Sequence, residues 1–382
     1  MSEILAVIGL AVWIYLICAR GQFWRARVRD TSVPARPAHW PAIAVVIPAR
    51  NEADVITASL QSLLRQDYAG ALRLIVVDDD SSDGTAAAAM RAGETRADRT
   101  LNIVTSNSLP TGWTGKLWAL KQGIAAAGQL RSEYLLLTDA DIVHAPDTLS
   151  WLVAHSVAHG NVLTSLMAKL HCESLAERSH VPAFVYFFDM LFPFSWVNRA
   201  RSGVAAAAGG CMLVRTDALA RAGGVDSIRN ALIDDCSLAA ALKTIGPIWL
   251  GLTERVRSIR PYDTLADVGQ MISRSAYAQL RFSPLLLTAV AAGMALTFLL
   301  PPALAIFAAG LPQYLGAVTW LAMAISFLPM LRFYRLSPLW SVALPAIAFL
   351  YLSYTINSAY RHLRRSGGQW KGRIHVNNPS LP

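Results

Sequence analysis

Apolar and polar positions follow three different patterns along the chain. Ile4 to Ala19 is an unbroken uncharged run closed by Arg20. At about 1.5 Å per residue it just crosses a bilayer's hydrocarbon if Arg20 snorkels. Glu3 stands where a signal peptide would carry basic residues, and no small-residue cleavage site follows. Residues 1–22 therefore read as an uncleaved transmembrane anchor. From Pro41 to about Pro247, short apolar runs alternate with helical periodicity. "AIAVVI" (Ala42 to Ile47), "LRLIVV" (Leu72 to Val77), "TLNIV" (Thr100 to Val104) and the start of "LLLTDADIVH" (Leu135 to His144) predict strands. Helices are expected from Asn51 as N-cap, with Ile56, Leu60, Leu63 and Leu64 on one face, then after Asp83 and from Lys116. Continuous apolar strands between amphipathic helices predict an α/β domain over residues 41–281, its mostly parallel sheet covered on both faces.

The third pattern begins after Arg281, beyond which no charged residue occurs until Arg332. Two spans fit that gap, Pro284 to Ala309 and Tyr314 to Met330, and a third run, Leu339 to Ile356, is interrupted by Pro345. Residues 282–357 thus read as two or three membrane helices, followed by a basic tail over 358–382. Three crossings would put that tail on the side opposite a cytosolic domain, against the positive-inside tendency. A re-entrant third run and a tail that breaks the rule both remain open.

Composition agrees with a membrane protein: 54% of residues are hydrophobic and 15% charged. The net charge of +9 gathers beside the apolar runs, at Arg20, Arg25, Arg27 and Arg29 and at Arg361, Arg364, Arg365, Lys371 and Arg373. That placement fits anionic headgroups and cytoplasmic flanks. No basic stripe interleaved with aromatics and no nucleic-acid motif is present, so a nucleic-acid partner is not expected. Cys18, Cys172, Cys211 and Cys236 have no metal-ligand spacing and read as reduced thiols. "VPAFVYFFDMLFPFSW" (Val181 to Trp196) is too short and proline-broken for a span. Either a core helix or an interfacial segment bordering a lipid fits it, and its Trp, Tyr and Phe favour the interfacial reading. His144, His171 and His180 form no ligand pair and read as structural.

Candidate chemistry lies in three acidic stretches, "VVDDDSSDGT" (Val76 to Thr85), "TDADI" (Thr138 to Ile142) and "LIDDCSL" (Leu232 to Leu238). Each alone has a plain alternative, a helix N-cap or a solvated turn. At a strand end, however, buried carboxylates need a cation. Asp139 and Asp141 at i and i+2 of a strand would share a face and converge on one divalent ion.

The three stretches, in this order after "VVIPARNE" (Val45 to Glu52), resemble the family 2 glycosyltransferases of GT-A fold. "TGWTGKLWAL", "VPAFVYFF", "AAAAGGCMLV", "LIDDCSLA" and "QLRFSPLL" narrow the likeness to the hopene-associated glycosyltransferases of bacterial hopanoid biosynthesis. A more distant similarity is to ceramide glucosyltransferases. The sequence departs at Asp80, where many members carry a small residue, and at Asp234, commonly Glu. The resemblance implies a membrane-bound inverting hexosyltransferase in the bacterial inner membrane, its catalytic domain cytoplasmic. The donor would be a nucleotide sugar, in particular a UDP-sugar read by Asp79, with Pro48, Arg50 and Glu52 lining the nucleoside pocket and Lys116 at the phosphates. Asp139 and Asp141 would hold Mg²⁺ or Mn²⁺, with Asp141 the direct ligand and Asp139 a second ligand or a partner of the ribose or a bound water. Asp235 would be the general base that activates an acceptor hydroxyl, a hopanoid by the closer likeness. Asp234, Gln270 and Arg274 would attend the diphosphate or acceptor, though the tryptophan and spacing of the relatives' Q-x-x-R-W are missing; Asp234 as the nucleophile of a retaining route, and Gln270 and Arg274 as part of a juxtamembrane basic helix, are the alternatives. Two other readings stand beside this one: transfer to a polyprenyl phosphate, whose anionic nucleophile needs no base, and a non-catalytic membrane scaffold on a relic fold. A dinucleotide oxidoreductase is disfavoured because no G-x-G-x-x-G follows the first strand.

Overall fold

The computed structural model describes residues 1–94, 100–128, 131–364, 369–370 and 373–374. Two compact units divide them. The first comprises Val28–Leu170 and Trp196–Arg260, with the described residues from Gln369 onward. The second comprises Met1–Arg27, His171–Ser195 and the described part of Pro261–Gly368. The segment 171–195, expected inside the domain 41–281, thus groups with the terminal helices.

The first unit is built on an eight-stranded sheet: β1 (Ile43–Ala49), β2 (Leu72–Asp78), β3 (Thr100–Thr105), β4 (Tyr134–Leu137), β5 (Ile142–His144), β6 (Leu163–Lys169), β7 (Met212–Arg215) and β8 (Ile248–Ser258). Its order is β3-β2-β1-β4-β7-β6-β8-β5. The β3-β2-β1-β4 half is all parallel, as is the β6–β8 pair. β7 runs antiparallel to β4 and β6, and β5 to β8. Every residue of β1 is buried, as expected of a strand covered on both faces. Ile43, Val45 and Ile47 pack with Ile56, Leu60, Leu63, Ala88 and Ala89 of the helices Ile56–Leu64 and Thr85–Gly93. On the other face, a Cβ added at Gly123 of helix Gly115–Gly128 would come within 2.3 Å of Val46 Cγ1 and 2.9 Å of Val77 Cγ2. Only glycine lets that helix lie this close to the sheet, and the helix carries Lys116.

The expected helix start at Asn51 is displaced: the helix begins at Ile56. Asn51 adopts φ +51°, outside helical geometry, and its side-chain oxygen accepts the Ser82 N–H at 2.9 Å. The N–H groups of Asn51, Glu52 and Ala53 donate to Ser81 Oγ, Thr85 Oγ1 and Asp83 Oδ2. Side chains from the loop after β2 take these donors before a helix can, so the two loops interlock.

The second unit holds three helices long and apolar enough to cross a membrane, Pro284–Phe307, Leu311–Phe333 and Pro338–Leu363. It also holds the shorter apolar Ser2–Cys18 and the helix Leu265–Ser273, whose Thr264 and Asp267 form a capping box. Pro345, expected to interrupt the third run, lies at the start of its α-helix, where the missing N–H is harmless. Inside Pro284–Phe307, Pro301 and Pro302 lack the N–H groups that would close on the preceding carbonyls, and Ala295–Leu299 is a π turn. The Thr297 carbonyl so released accepts Trp13 Nε1–H at 2.8 Å, which meets the need to satisfy backbone polar groups away from water. The stretch read as interfacial forms a packed helix, Leu175–Leu191, with Val181, Ala183, Val185 and Tyr186 fully buried. Its rings seat against neighbours: Tyr186 OH meets Ser326 Oγ at 2.7 Å, and Phe187 packs on Phe298 and Tyr351. Packing partners distant in sequence, invisible to a local reading, make it a core element. Arg361 falls in the last turn of the final helix and Arg364 caps it. Arg365 and Lys371 of the expected basic tail lie outside the described residues.

Candidate active site

Chain reversals after β1, β2 and β4 put their carboxyl-terminal residues at one edge of the parallel half-sheet, where ligands of such sheets bind. Pro48 lies in β1, paired in register with Val77. Arg50 follows, its Nη1 donating to the Asp79 and Asp80 carbonyls, with the Asp79 carboxylate at 3.8 Å. Asp79 is fully buried and its N–H bonds the Ala49 carbonyl at 2.8 Å.

β4 ends at Leu137, so Asp139 and Asp141 lie in the turn between β4 and β5 and not on a strand. Their shared strand face, inferred from i, i+2 alternation, is therefore corrected: turn geometry and not the pleat directs them. The turn is pinned by Thr138, whose N–H reaches the Val46 carbonyl and whose hydroxyl donates to the Gly210 carbonyl at 2.7 Å. With that proton committed, the buried His144 Nε2–H donates to Thr138 Oγ1 at 3.1 Å. Burial depresses the His144 pKa to about 3, so the ring is neutral and structural.

Two cations meet these aspartates. Lys116 Nζ lies 2.9 Å from Asp139 Oδ1 and 3.1 Å from Asp234 Oδ2. Burial opposes its charge, but Asp139 and Asp234 outweigh burial and raise its pKa. Asp141 Oδ2 accepts from Ser258 Oγ at 3.0 Å and Arg260 Nε at 3.2 Å, and the Arg260 Nη2 donates to Glu52 Oε2. Arg260 thereby ties the turn after β4 to the residues after β1. No motif marks Arg260 or Ser258 in the sequence; only the fold, returning through β8, reveals them.

Asp234 and Asp235 open helix Asp234–Lys243. Asp235 Oδ2 accepts the Gly209 N–H at 2.9 Å and Oδ1 accepts the Cys236 N–H at 2.7 Å. Burial and the adjoining Asp234 raise the Asp235 pKa to about 6, against the pull of Lys116 and the two amides. Gly209 was also missed. A Cβ there would stand 3.3 Å from Lys116 Nζ and 3.4 Å from Asp235 Oδ2, so a side chain at this position would crowd both the ammonium and the carboxylate. Gln270 and Arg274 belong to the other compact unit, on helix Leu265–Ser273 and at its C-cap.

Five carboxyl groups (Glu52, Asp139, Asp141, Asp234 and Asp235) thus surround two cations. The surplus is negative, and Asp139 Oδ2 and Asp141 Oδ1 make no hydrogen bond or ion pair among the described residues. No three His, Cys, Asp or Glu residues are grouped to hold a metal by themselves among the described residues. This donor set fits a hard divalent ion that takes one or two carboxylates and completes its shell with phosphate and water.

A sequence model of the glycosyl transferase family 2 matches residues 44–223. That segment is a family 2 glycosyltransferase domain. The chain is 32% identical over 161 residues to an N-acetylglucosaminyltransferase of Rhizobium leguminosarum bv. viciae, a match covering 40% of this chain and 35% of that protein. It is 37% identical over 101 residues to a 4,4'-diaponeurosporenoate glycosyltransferase of Staphylococcus haemolyticus, covering 26% of this chain and 24% of the relative. The chain spans about a third or less of the length of the curated relatives it matches. Among solved structures, a mannosyltransferase from Pyrobaculum calidifontis, in complex with GDP-Man and Mn²⁺, aligns with TM-score 0.56 at 21% identity over 95% of this chain and 99% of the other. At that identity the likeness establishes the fold: the glycosyltransferase domain is GT-A, as the sequence resemblance implied. The names of these relatives do not single out hopanoids.

Proposed function

We propose that the protein transfers a sugar, with inversion, from a nucleotide-sugar donor to a hydroxyl group of a membrane lipid. The observation that carries this reading is the convergence of Asp139, Asp141 and Lys116 with Asp234 and Asp235 at the carboxyl ends of β1, β2 and β4. A donor diphosphate needs countercharge on one side of the anomeric carbon, and inversion needs a proton acceptor on the other. Asp79, buried after β2 beside Arg50, would take the uracil N–H, with Pro48 and Glu52 lining the nucleoside pocket. Lys116 supplies an ammonium for the phosphates. Asp139 and Asp141 would hold Mg²⁺ or Mn²⁺, which when bound neutralises charge developing on the leaving diphosphate. The Asp139 and Asp141 oxygens that have no partner among the described residues, and the Mn²⁺ in the complex of the structural relative, support that assignment.

Asp235 is the general base. Its carboxylate is oriented by two backbone amides, and its raised pKa lets it accept a proton near neutral pH. The acceptor oxygen gives that proton to Asp235 as it forms the new glycosidic bond, while the nucleotide leaves with the bonding electrons. Three helices able to cross a membrane, and a relative named for 4,4'-diaponeurosporenoate, support a lipid acceptor. A hopanoid is the acceptor that the sequence resemblance favours. Gln270, Arg274 and Asp234 are assigned to the diphosphate or acceptor by the same resemblance. The test is incubation of detergent-solubilised protein with UDP-sugars, Mn²⁺ or Mg²⁺, and bacterial lipid extracts with and without hopanoids, scored for UDP release and new glycolipids by mass spectrometry. A hopanoid-dependent glycolipid is expected. UDP release with other glycolipids alone would move the acceptor, and no release under any condition would overturn the enzymatic reading.

A further inference from the structure

Lys116 sits where no single role explains its contacts. It starts helix Gly115–Gly128, one position after Gly115, where a phosphate-binding ammonium would point outward to ligand. Instead its Nζ bridges Asp139 Oδ1 at 2.9 Å and Asp234 Oδ2 at 3.1 Å, with four-fifths of the side chain covered. The helix that carries Lys116 packs closely on the sheet at Gly123, and a Cβ at Gly209 would stand 3.3 Å from the ammonium. The other cation, Arg260, takes Asp141 Oδ2. Each aspartate proposed to hold the metal therefore has one oxygen occupied by a cation belonging to the protein.

A divalent ion arriving at Asp139 meets the ammonium on the neighbouring oxygen, and like charges that close repel strongly in a partly buried site. A nucleotide diphosphate reverses the balance, because its oxygens attract both cations. Resting on the donor and metal reading above, we infer that Lys116 is a place-holding cation: it neutralises Asp139 and Asp234 while no donor is bound, and it is released from Asp139 to the diphosphate when metal and nucleotide enter together. Metal binding is thereby weak without nucleotide and strong with it. In thermodynamic terms the two ligands are coupled through Lys116, and the coupling is reciprocal. Asp234, which keeps its contact with the ammonium, serves as the pivot.

The test measures Mn²⁺ binding to the detergent-solubilised full chain by electron paramagnetic resonance, with and without UDP, in wild type and Lys116→Met. Wild type is expected to bind Mn²⁺ weakly alone and much more tightly with UDP. In Lys116→Met, Mn²⁺ binding without UDP should tighten by roughly tenfold or more, since a cation is removed from beside the ion, and the gain produced by UDP should shrink by a similar factor. Lys116→Arg keeps the charge and should keep weak binding without nucleotide, which separates lost charge from a damaged fold. Nucleotide-free binding in Lys116→Met that is unchanged or weaker, or a UDP-induced gain equal to wild type, would overturn the place-holder while leaving the metal site standing. No Mn²⁺ bound by wild type, even with UDP visibly bound by calorimetry, would overturn both.

Discussion

Replacing Asp235 with asparagine isolates the proton transfer. Both carboxylate oxygens accept backbone N–H groups, Gly209 at 2.9 Å and Cys236 at 2.7 Å. The asparagine oxygen can keep one of them, while its NH₂ must face the other donor. An unsatisfied buried N–H costs about 1–3 kcal/mol. Against that loss, the substitution removes a buried negative charge beside Asp234, whose repulsion helps raise the Asp235 pKa. The two effects oppose each other, so the variant should fold with stability near wild type and still bind UDP. Its turnover should not survive. Loss of a positioned general base lowers the rate by about 10²–10⁴, which corresponds to about 3–5 kcal/mol of barrier. The assay is UDP release with lipid acceptor at saturating donor, paired with calorimetry of UDP binding. Retained activity with normal UDP binding would refute Asp235 as base and favour an acceptor that is already anionic, such as a polyprenyl phosphate.

Three further outcomes are expected. Wild-type kcat/KM should fall on the acid side of about pH 6, because below its raised pKa the Asp235 carboxyl holds its proton and cannot accept another; a rate flat to pH 4.5 would contradict this. Gly123→Ala should destabilise by about 1–3 kcal/mol through overpacking on Val46 and Val77, read as a lowered denaturation midpoint, and an unchanged midpoint would refute the close approach. Arg260→Met strands Glu52 and Asp141, side chains only 10% and 15% exposed, without their shared cation. The expected loss is about 3 kcal/mol of stability, together with weaker UDP binding, and no change in either would show that the bridge is incidental.

What was legible in the sequence follows from the range over which each signal acts. β1, β2 and β4 announce themselves as apolar runs because nearly every residue of those strands is buried, and Asp79, Asp139, Asp141 and Asp235 announce themselves as carboxylates where burial is costly. The start of the first sheet-covering helix was misjudged because Asn51, a good N-cap by type, gives its side chain to Ser82, a partner visible only in three dimensions. Lys116 was visible, but its bridge between two acidic stretches was not. Arg260 was lost among 34 lysines and arginines, since nothing local distinguishes an arginine that reaches back to Glu52 from one that faces solvent. The aromatic stretch from Val181 misled for a related reason: its partners, Phe298, Ser326 and Tyr351, come more than a hundred residues later.

The bridge made by Arg260 also sets a clock. Glu52 precedes it by 208 residues and Asp141 by 119. At the usual pace of about 5–20 residues per second, a ribosome that has just added Asp141 needs about 6–24 s more to reach Arg260. Throughout that interval the nascent chain holds the acidic turn but lacks the guanidinium that fastens it to the first loop. The acidic site is therefore completed only once β8 and Arg260 have left the exit tunnel.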